Sequence, residues 1–246
     1  MTPFKKPFTP FQTLMCRVAM GLLGMILSAC APRMIEVNGH RIFNPQYLWY
    51  LESEKRDYWQ KPDQIIEALQ LEEGDVIADI GAGGGYFTVW FSKQVGKTGH
   101  VYAVDVQDIM ITRLKERIKT QKLDNVTVMK GTFESPLLPA KAIDIAFFSS
   151  VYKEIDNRVS YMKAVRRTLR PDGRVAVIEF YRDRGLIGPE IGDRLYESQV
   201  IREMKQAGFS LIRRFEFLPR EYFLLFGIMH GRLLHRPLVR MVPQQP

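Results

Sequence analysis

Between residues 62 and 226, short apolar runs alternate with segments of helical period, and this rhythm constrains the fold more than any other feature of the chain. Residues 76–78, 101–104, 126–129, 143–148 and 175–180 read as strands. Residues 86–95, 110–120, 159–169 and 199–207 read as helices, and Pro62 opens a further short one. Strands separated by helices of about ten residues pair through crossovers, which makes the sheet mainly parallel. The last two β-rich runs, 210–218 and 222–226, are joined only by Pro219-Arg220-Glu221. A parallel crossover takes a dozen or so residues, so these runs form an antiparallel hairpin. The pattern predicts an α/β fold: a seven-stranded, mainly parallel, doubly wound sheet ending in an antiparallel hairpin, with helices on both faces.

Composition removes several classes. Of 246 residues, 46% are hydrophobic and 25% charged, which is ordinary for a globular protein and unlike a disordered or polytopic membrane chain. Both cysteines lie within the first 30 residues, which excludes a disulfide scaffold. The formal charge is +8, but Lys5, Lys6, Arg17, Arg232, Arg236 and Arg240 lie at the two ends; without these six the body carries +2. Nothing in that balance requires a nucleic-acid-binding face, and no nucleic acid is expected as a partner. Oligomeric state is not encoded in any feature of the sequence.

The first 29 residues read as an address. Three cations precede a run of about twelve apolar or small residues, too short for a bilayer span of about 20 and of the length of a signal-peptide apolar region. The run ends in Leu27-Ser28-Ala29-Cys30, which resembles a bacterial lipoprotein signal and implies a lipidated Cys30 as the mature N-terminus and a membrane anchor. Ala31 is not the acidic residue associated with inner-membrane retention, so in a Gram-negative host the expected location is the outer membrane, facing the periplasm. If the segment is instead a chance apolar stretch, the protein is cytoplasmic. The expected organisation is a signal at 1–29, a preamble without clear period at 30–61, the main domain at 62–226 and a basic tail at 227–246. In that tail Arg232, Arg236 and Arg240 share one helical face, interrupted by Pro237.

The chemistry-bearing signal is Asp79-Ile80-Gly81-Ala82-Gly83-Gly84-Gly85-Tyr86, which follows one strand and opens a helix. Glycines there permit a sharp turn and let a ligand approach backbone N–H groups. A dinucleotide fingerprint from Gly81 would need glycine where Tyr86 stands, which disfavours a nicotinamide enzyme. Asp105 ends the next strand, where a carboxylate can accept hydrogen bonds from both ribose hydroxyls of a nucleoside cofactor. A strand end of this kind is expected to lie outside the core.

Together these residues resemble the class I S-adenosylmethionine-dependent methyltransferases. Leu169-Arg170-Pro171-Asp172-Gly173-Arg174 resembles that family's turn before strand five. Residues 56–62 and Val151-Tyr152-Lys153-Glu154 resemble a bacterial subgroup that usually carries histidine where Lys153 stands. The resemblance implies that Asp79, Gly81, Gly83 and Gly85 hold the methionine part of S-adenosylmethionine, that Asp105 binds its ribose, and that Thr132 and Phe133 flank its adenine. It places Ser149, Ser150, Tyr152 and Glu154 near the transferable methyl, with Glu154 and Tyr152 as candidate catalytic groups and Glu179 and Tyr181 as second choices. The four histidines are poorly placed for base chemistry, and metal-ligand spacing is absent. The mature chain has no thiol nucleophile, and strand four lacks the Asn-Pro-Pro-Tyr of adenine amino methylases. The expected function is methyl transfer to a small-molecule or lipid-like acceptor. A lipoprotein that binds the cofactor without turnover is the competing reading, because the cofactor is not expected to be plentiful outside the cytoplasm.

Overall fold

A computed structural model describes residues 34–53, 55–184 and 188–229. The signal segment, Cys30 and the tail beyond residue 229 lie outside the described residues. Nine strands and seven α-helices are assigned among the described residues. β1 (Met34–Val37) and β2 (His40–Phe43) form an antiparallel hairpin. Its turn is Asn38-Gly39, both with positive φ (52° and 81°), the backbone that a two-residue hairpin turn demands. Helices α1 (Leu48–Leu51), α2 (Arg56–Gln60) and α3 (Pro62–Leu69) follow, the last opening on a proline whose missing N–H is not needed there. The described part of the expected unpatterned preamble is therefore folded, and its Asn-Gly pair was the available signal.

The remaining strands are β3 (Val76–Ile80), β4 (His100–Asp105), β5 (Val126–Lys130), β6 (Ile143–Ser149), β7 (Leu169–Phe180), β8 (Phe209–Phe215) and β9 (Glu221–Ile228). They form one seven-stranded sheet in the order β5-β4-β3-β6-β7-β9-β8. β5, β4, β3, β6 and β7 run parallel, while β9 is antiparallel to both β7 and β8. The seven-stranded sheet with a terminal hairpin is the expected architecture. Helices α4 (Tyr86–Val95), α5 (Asp108–Gln121), α6 (Arg158–Thr168) and α7 (Glu197–Gln206) complete it.

Three boundaries differ most from expectation, one of them the end of β8, which stops at Phe215 and not at 218. β7 begins at Leu169, because Pro171-Asp172-Gly173 does not separate helix from strand. Leu169 pairs with Ile143 and Arg174 with Ile145, so the intervening residues bulge out of the ladder. β9 continues through Gly227 and Ile228, which the sequence had placed in the tail.

The sheet is covered on both faces, as its strands require. Successive residues of β6 alternate: Ala146 and Phe148 enter one core with Met162 and Val165 of α6 and Val200 and Met204 of α7. Ile145 and Phe147 enter the other with Ile65 and Leu69 of α3 and Phe87 and Phe91 of α4. Phe147 sits at the centre of the second core, with ring centroids 4.8 Å from Phe87 and 4.9 Å from Phe91, both edge-on. Phe147→Ala should cost about 3–5 kcal/mol, the range for deleting a fully buried aromatic ring. Urea denaturation of the two proteins measures it.

Candidate functional site

Strand order reverses at β3. The chain goes outward through β4 and β5, then returns to place β6 and β7 on the other side of β3. A crevice must open at the carboxyl ends of β3 and β6, where successive connections leave in opposite directions. A cavity of about 230 Å³ lies there, with the Gly81–Gly84 loop, Asp105, Thr132, Phe133, the segment Ser149–Val151 and the segment Lys153–Ile155 among its walls.

The glycine loop is shaped by close approach. Gly81 has φ 72°, and a Cβ there would stand 2.3 Å from Cγ2 of Val151, so the β3 and β6 exits touch backbone to side chain. Gly83 also has positive φ (56°), but a Cβ there would meet nothing within 4 Å. One glycine is needed for packing; the other keeps an open cradle. The Ser149 hydroxyl is, among the described residues, the buried side-chain polar atom without a hydrogen-bond partner, and it lines the same cavity. A buried hydroxyl left unpaired is costly, so this wall is suited to a polar ligand atom.

Both acids singled out in the sequence line the cavity, and both are nearly buried, Asp79 at 3% and Asp105 at 7% exposure. Asp79 accepts a 2.6 Å hydrogen bond from Thr88 Oγ1. Asp105 accepts from two backbone N–H groups, Gly83 to Oδ2 and Gln107 to Oδ1, each at 2.9 Å. The expectation that Asp105 stands outside the structural framework is thus corrected: it ties the glycine loop to the start of α5. Burial pushes both carboxyls up to about 6, against the opposing pull of these hydrogen bonds.

Thr132 and Phe133 differ in what they offer. The Thr132 hydroxyl is occupied locally, accepting from Glu134 and Ser135 N–H. Phe133 presents a flat ring, stacked on His40 at 3.6 Å with an interplanar angle of 10°. Glu154 lines the cavity with both oxygens engaged: Oε1 pairs with Lys153 Nζ at 3.0 Å, and Oε2 accepts from Phe43 N at 3.1 Å. Lys153 also donates through Nζ to Ser150 O, and its N–H to Glu179 Oε1 at 3.1 Å. Burial alone would lower the Lys153 pKa, but Glu154 and Glu179 raise it, so the ammonium stays charged.

Tyr152 is a correction. Its ring is fully buried in the core, and its hydroxyl donates to Glu203 Oε2 at 3.2 Å, away from the cavity walls. Glu179 and Tyr181 are buried too and do not line the cavity.

The sequence reading missed the roof. Residues of the expected preamble line the cavity, among them Ile42, Phe43, Tyr47, Trp49, Arg56 and Trp59. They are strapped to the domain at separate points: Gln107 Nε2 to Phe43 O at 3.2 Å, Arg117 to Glu52 at 3.0 Å, and Gln60 Nε2 to Glu221 Oε2 at 2.7 Å. Arg56 lies over the Tyr86 ring at 4.0 Å, beside the first turn of α4. In all, four carboxylates (Glu52, Asp79, Asp105, Glu154) and two cations (Arg56, Lys153) line the cavity. That excess of negative charge suits a cofactor carrying an ammonium and a sulfonium and opposes a pyrophosphate. Among the described residues no metal-binding group of histidine, cysteine and acid side chains occurs.

Because Asp79 and Asp105 have folded pKa values raised above the unfolded carboxylate, the folded state binds more protons between about pH 4 and 6. Their contribution to stability is fullest below pH 4 and is lost as pH rises through 6. Thermal melts from pH 4.5 to 7 should therefore show a shallower pH dependence for Asp105→Asn than for the wild type.

The comparisons agree with this geometry. A family profile described as a methyltransferase domain matches residues 71–211. A ubiquinone/menaquinone biosynthesis C-methyltransferase of Hydrogenovibrio crunogenus is 28% identical over 123 residues, covering 50% of this chain and 48% of that protein. The corresponding protein of Shewanella pealeana is 27% identical over 140 residues, 56% of this chain and 55% of its own length. The chain thus spans about half the length of the curated relatives it matches. Among solved structures, a SAM-dependent methyltransferase from Aquifex aeolicus superposes with TM-score 0.74 at 26% identity, over 76% of this chain and all of that one. The fold is also that of a Burkholderia thailandensis 1,6-didemethyltoxoflavin N1-methyltransferase, solved with its substrate and S-adenosylhomocysteine, at TM-score 0.56 and 17% identity over 93% of this chain and 94% of that one. With S-adenosylmethionine as its cofactor, the chain belongs to the methyltransferase-domain family, the Rossmann-like S-adenosylmethionine-dependent methyltransferases.

Proposed function

We propose that the protein transfers the methyl group of S-adenosylmethionine in line to a small, flat, largely apolar acceptor of lipid-like character. The observation that carries the reading is the cavity itself. Its lining joins the glycine loop and two buried acids to a set of aromatic side chains, Phe43, Tyr47, Trp49, Trp59 and Phe180. The curated relatives' names describe C-methyltransferases of quinone biosynthesis, which is acceptor chemistry of the same flat, apolar kind. The cofactor supplies an already activated methyl group, so the residues of this chain act mainly by positioning.

In this reading Asp105 accepts from the ribose hydroxyls with its remaining lone pairs while holding Gly83 in place. Asp79 faces the ammonium, and the Gly81–Gly85 backbone follows the methionine part. Phe133, braced by His40, gives the adenine a flat surface. The aromatic roof excludes water from the acceptor, and Lys153 with Glu154 closes the far end as a fixed ion pair.

The charged start, short apolar run and Leu27-Ser28-Ala29-Cys30 support a second part of the proposal, that Cys30 is lipidated and anchors the protein to the outer membrane. Only three residues separate Cys30 from β1, a reach of about 13 Å to Met34 even when fully extended. The roof would then lie close to the lipid in which an apolar acceptor dissolves. Metabolic palmitate labelling and fractionation should show a labelled, membrane-bound wild type and an unlabelled Cys30→Ser. An unlabelled, soluble wild type refutes the anchor without touching the methyl-transfer reading.

Calorimetry tests the cofactor. S-adenosylmethionine and S-adenosylhomocysteine should bind and NAD should not. Asp105→Ala should weaken binding on the order of 10²-fold, from the loss of hydrogen bonds to a charged group worth roughly 1.5–3 kcal/mol each. Its melting temperature should also fall, because Gly83 N–H loses its acceptor. Unchanged affinity in Asp105→Ala would place the nucleoside elsewhere.

A further inference from the structure

Glu221 is a fully buried carboxylate that the cofactor site does not use. It opens β9 opposite Phe180, at the edge of the sheet where β6 and β7 end. Its Oε2 accepts from Gln60 Nε2 at 2.7 Å, and its Oε1 accepts from Ser150 Oγ at 3.2 Å. Ser150 lines the cavity; Glu221 does not. The serine hydroxyl is therefore the link between this carboxylate and whatever occupies the acceptor end.

Ser150 is held for that position. It has φ 59°, a left-handed backbone that a serine rarely adopts, and its N–H donates to Ile178 O at 2.8 Å. Residues in such conformations cluster at ligand sites, where the surrounding structure enforces them. The more obvious acid, Glu154, has one oxygen on the Lys153 ammonium and the other on Phe43 N–H. It is a strap between roof and floor.

We propose that Ser150 and Glu221 form a proton relay that takes a proton from a hydroxyl-bearing aromatic acceptor as it is methylated. The inference rests on the methyl-transfer reading above. The balance closes within the named groups. A bond forms between the acceptor and the methyl carbon, the electron pair of the broken carbon–sulfur bond stays on sulfur, and the acceptor's proton passes to Ser150 Oγ. The serine's own proton moves to Glu221 Oε1, which ends neutral. The carboxyl is poised for that exchange: burial pushes it up to about 7, while Arg56, Ser150 and Gln60 pull it down and Glu179 raises it further. Glu179 is itself held by Lys153 from the acceptor segment. A base with a pKa near the working pH is the efficient case for proton transfer.

The test uses the full chain, with a soluble 1,4-hydroquinone and a catechol as probe acceptors. Infrared spectra across pH 5–9 should show a carboxylic acid band that titrates near neutrality and is missing from Glu221→Gln. With either probe, kcat should rise with pH through about 7. Glu221→Gln and Ser150→Ala should each lose on the order of 10²-fold in kcat and the inflection with it, and Ser150→Thr should restore part of both. S-adenosylmethionine affinity should stay within a few-fold in all variants. If Glu221→Gln fails to fold, Ser150→Ala carries the comparison. A retained inflection and kcat in either variant overturns the relay. A wild type that binds the cofactor but methylates neither probe also overturns it and leaves the methyl-transfer reading intact, whereas a wild type that does not bind the cofactor refutes that reading.

Discussion

The Asp105 carboxylate holds the crevice together. Its two oxygens take the N–H groups of Gly83 and Gln107, joining the loop after β3 to the first turn after β4. Neither loop could keep an open, ligand-sized gap on its own, because backbone donors at a strand end seek partners wherever they can find them. One short acidic side chain satisfies both and keeps the loops apart. The Gly81–Val151 approach does the same on the other side, fixing the distance between the β3 and β6 exits. The cavity is the space left between these two contacts, covered by the N-terminal segment.

Much of the domain was legible in the sequence because a parallel sheet buried on both faces writes itself as separate apolar runs. The run at 143–148 is the clearest example: every residue but Asp144 is buried, and alternate ones feed different cores. The hairpin followed from connection length alone. Asp105, Asp79 and the glycines were legible because motif and strand context coincide. Tyr152 was not, since a tyrosine in a short turn reads the same whether its ring faces a cavity or the core. Its hydroxyl is engaged by Glu203, some fifty residues away, which also accepts from Arg158 and Gln199.

The roof was illegible for a different reason. Its elements are short, three to five residues each, so no periodicity accumulates. Isolated pieces of that length are marginal in water and take their stability from tertiary contacts. Those contacts are long-range ones to the domain: Phe133 on His40, Glu154 on Phe43, Glu221 on Gln60. Asn38-Gly39, Asn44-Pro45 and Pro62 carry the local information. The segment that decides what fits in the cavity is thus the one whose structure depends most on the rest of the fold.

The four buried acids among the described residues, Asp79, Asp105, Glu179 and Glu221, all sit at the same edge of the sheet. Burying a carboxylate is expensive, and an apolar side chain of similar volume would often stabilise a fold more. Burial raises the pKa of every one of them, so the folded domain bears a penalty at neutral pH that its cores must offset. A sequence selected for stability alone would place apolar residues at some of these positions. Their clustering at one edge, with the opposite end of the sheet free of buried acids among the described residues, points to the same edge as the glycine motif. It also divides the edge in two. Asp79 and Asp105 border the glycine loop, where a positively charged ligand would offset their desolvation. Glu179 and Glu221 lie behind the segment that follows β6, where Lys153 lowers the pKa of the first and Arg56 that of the second without cancelling the effect of burial.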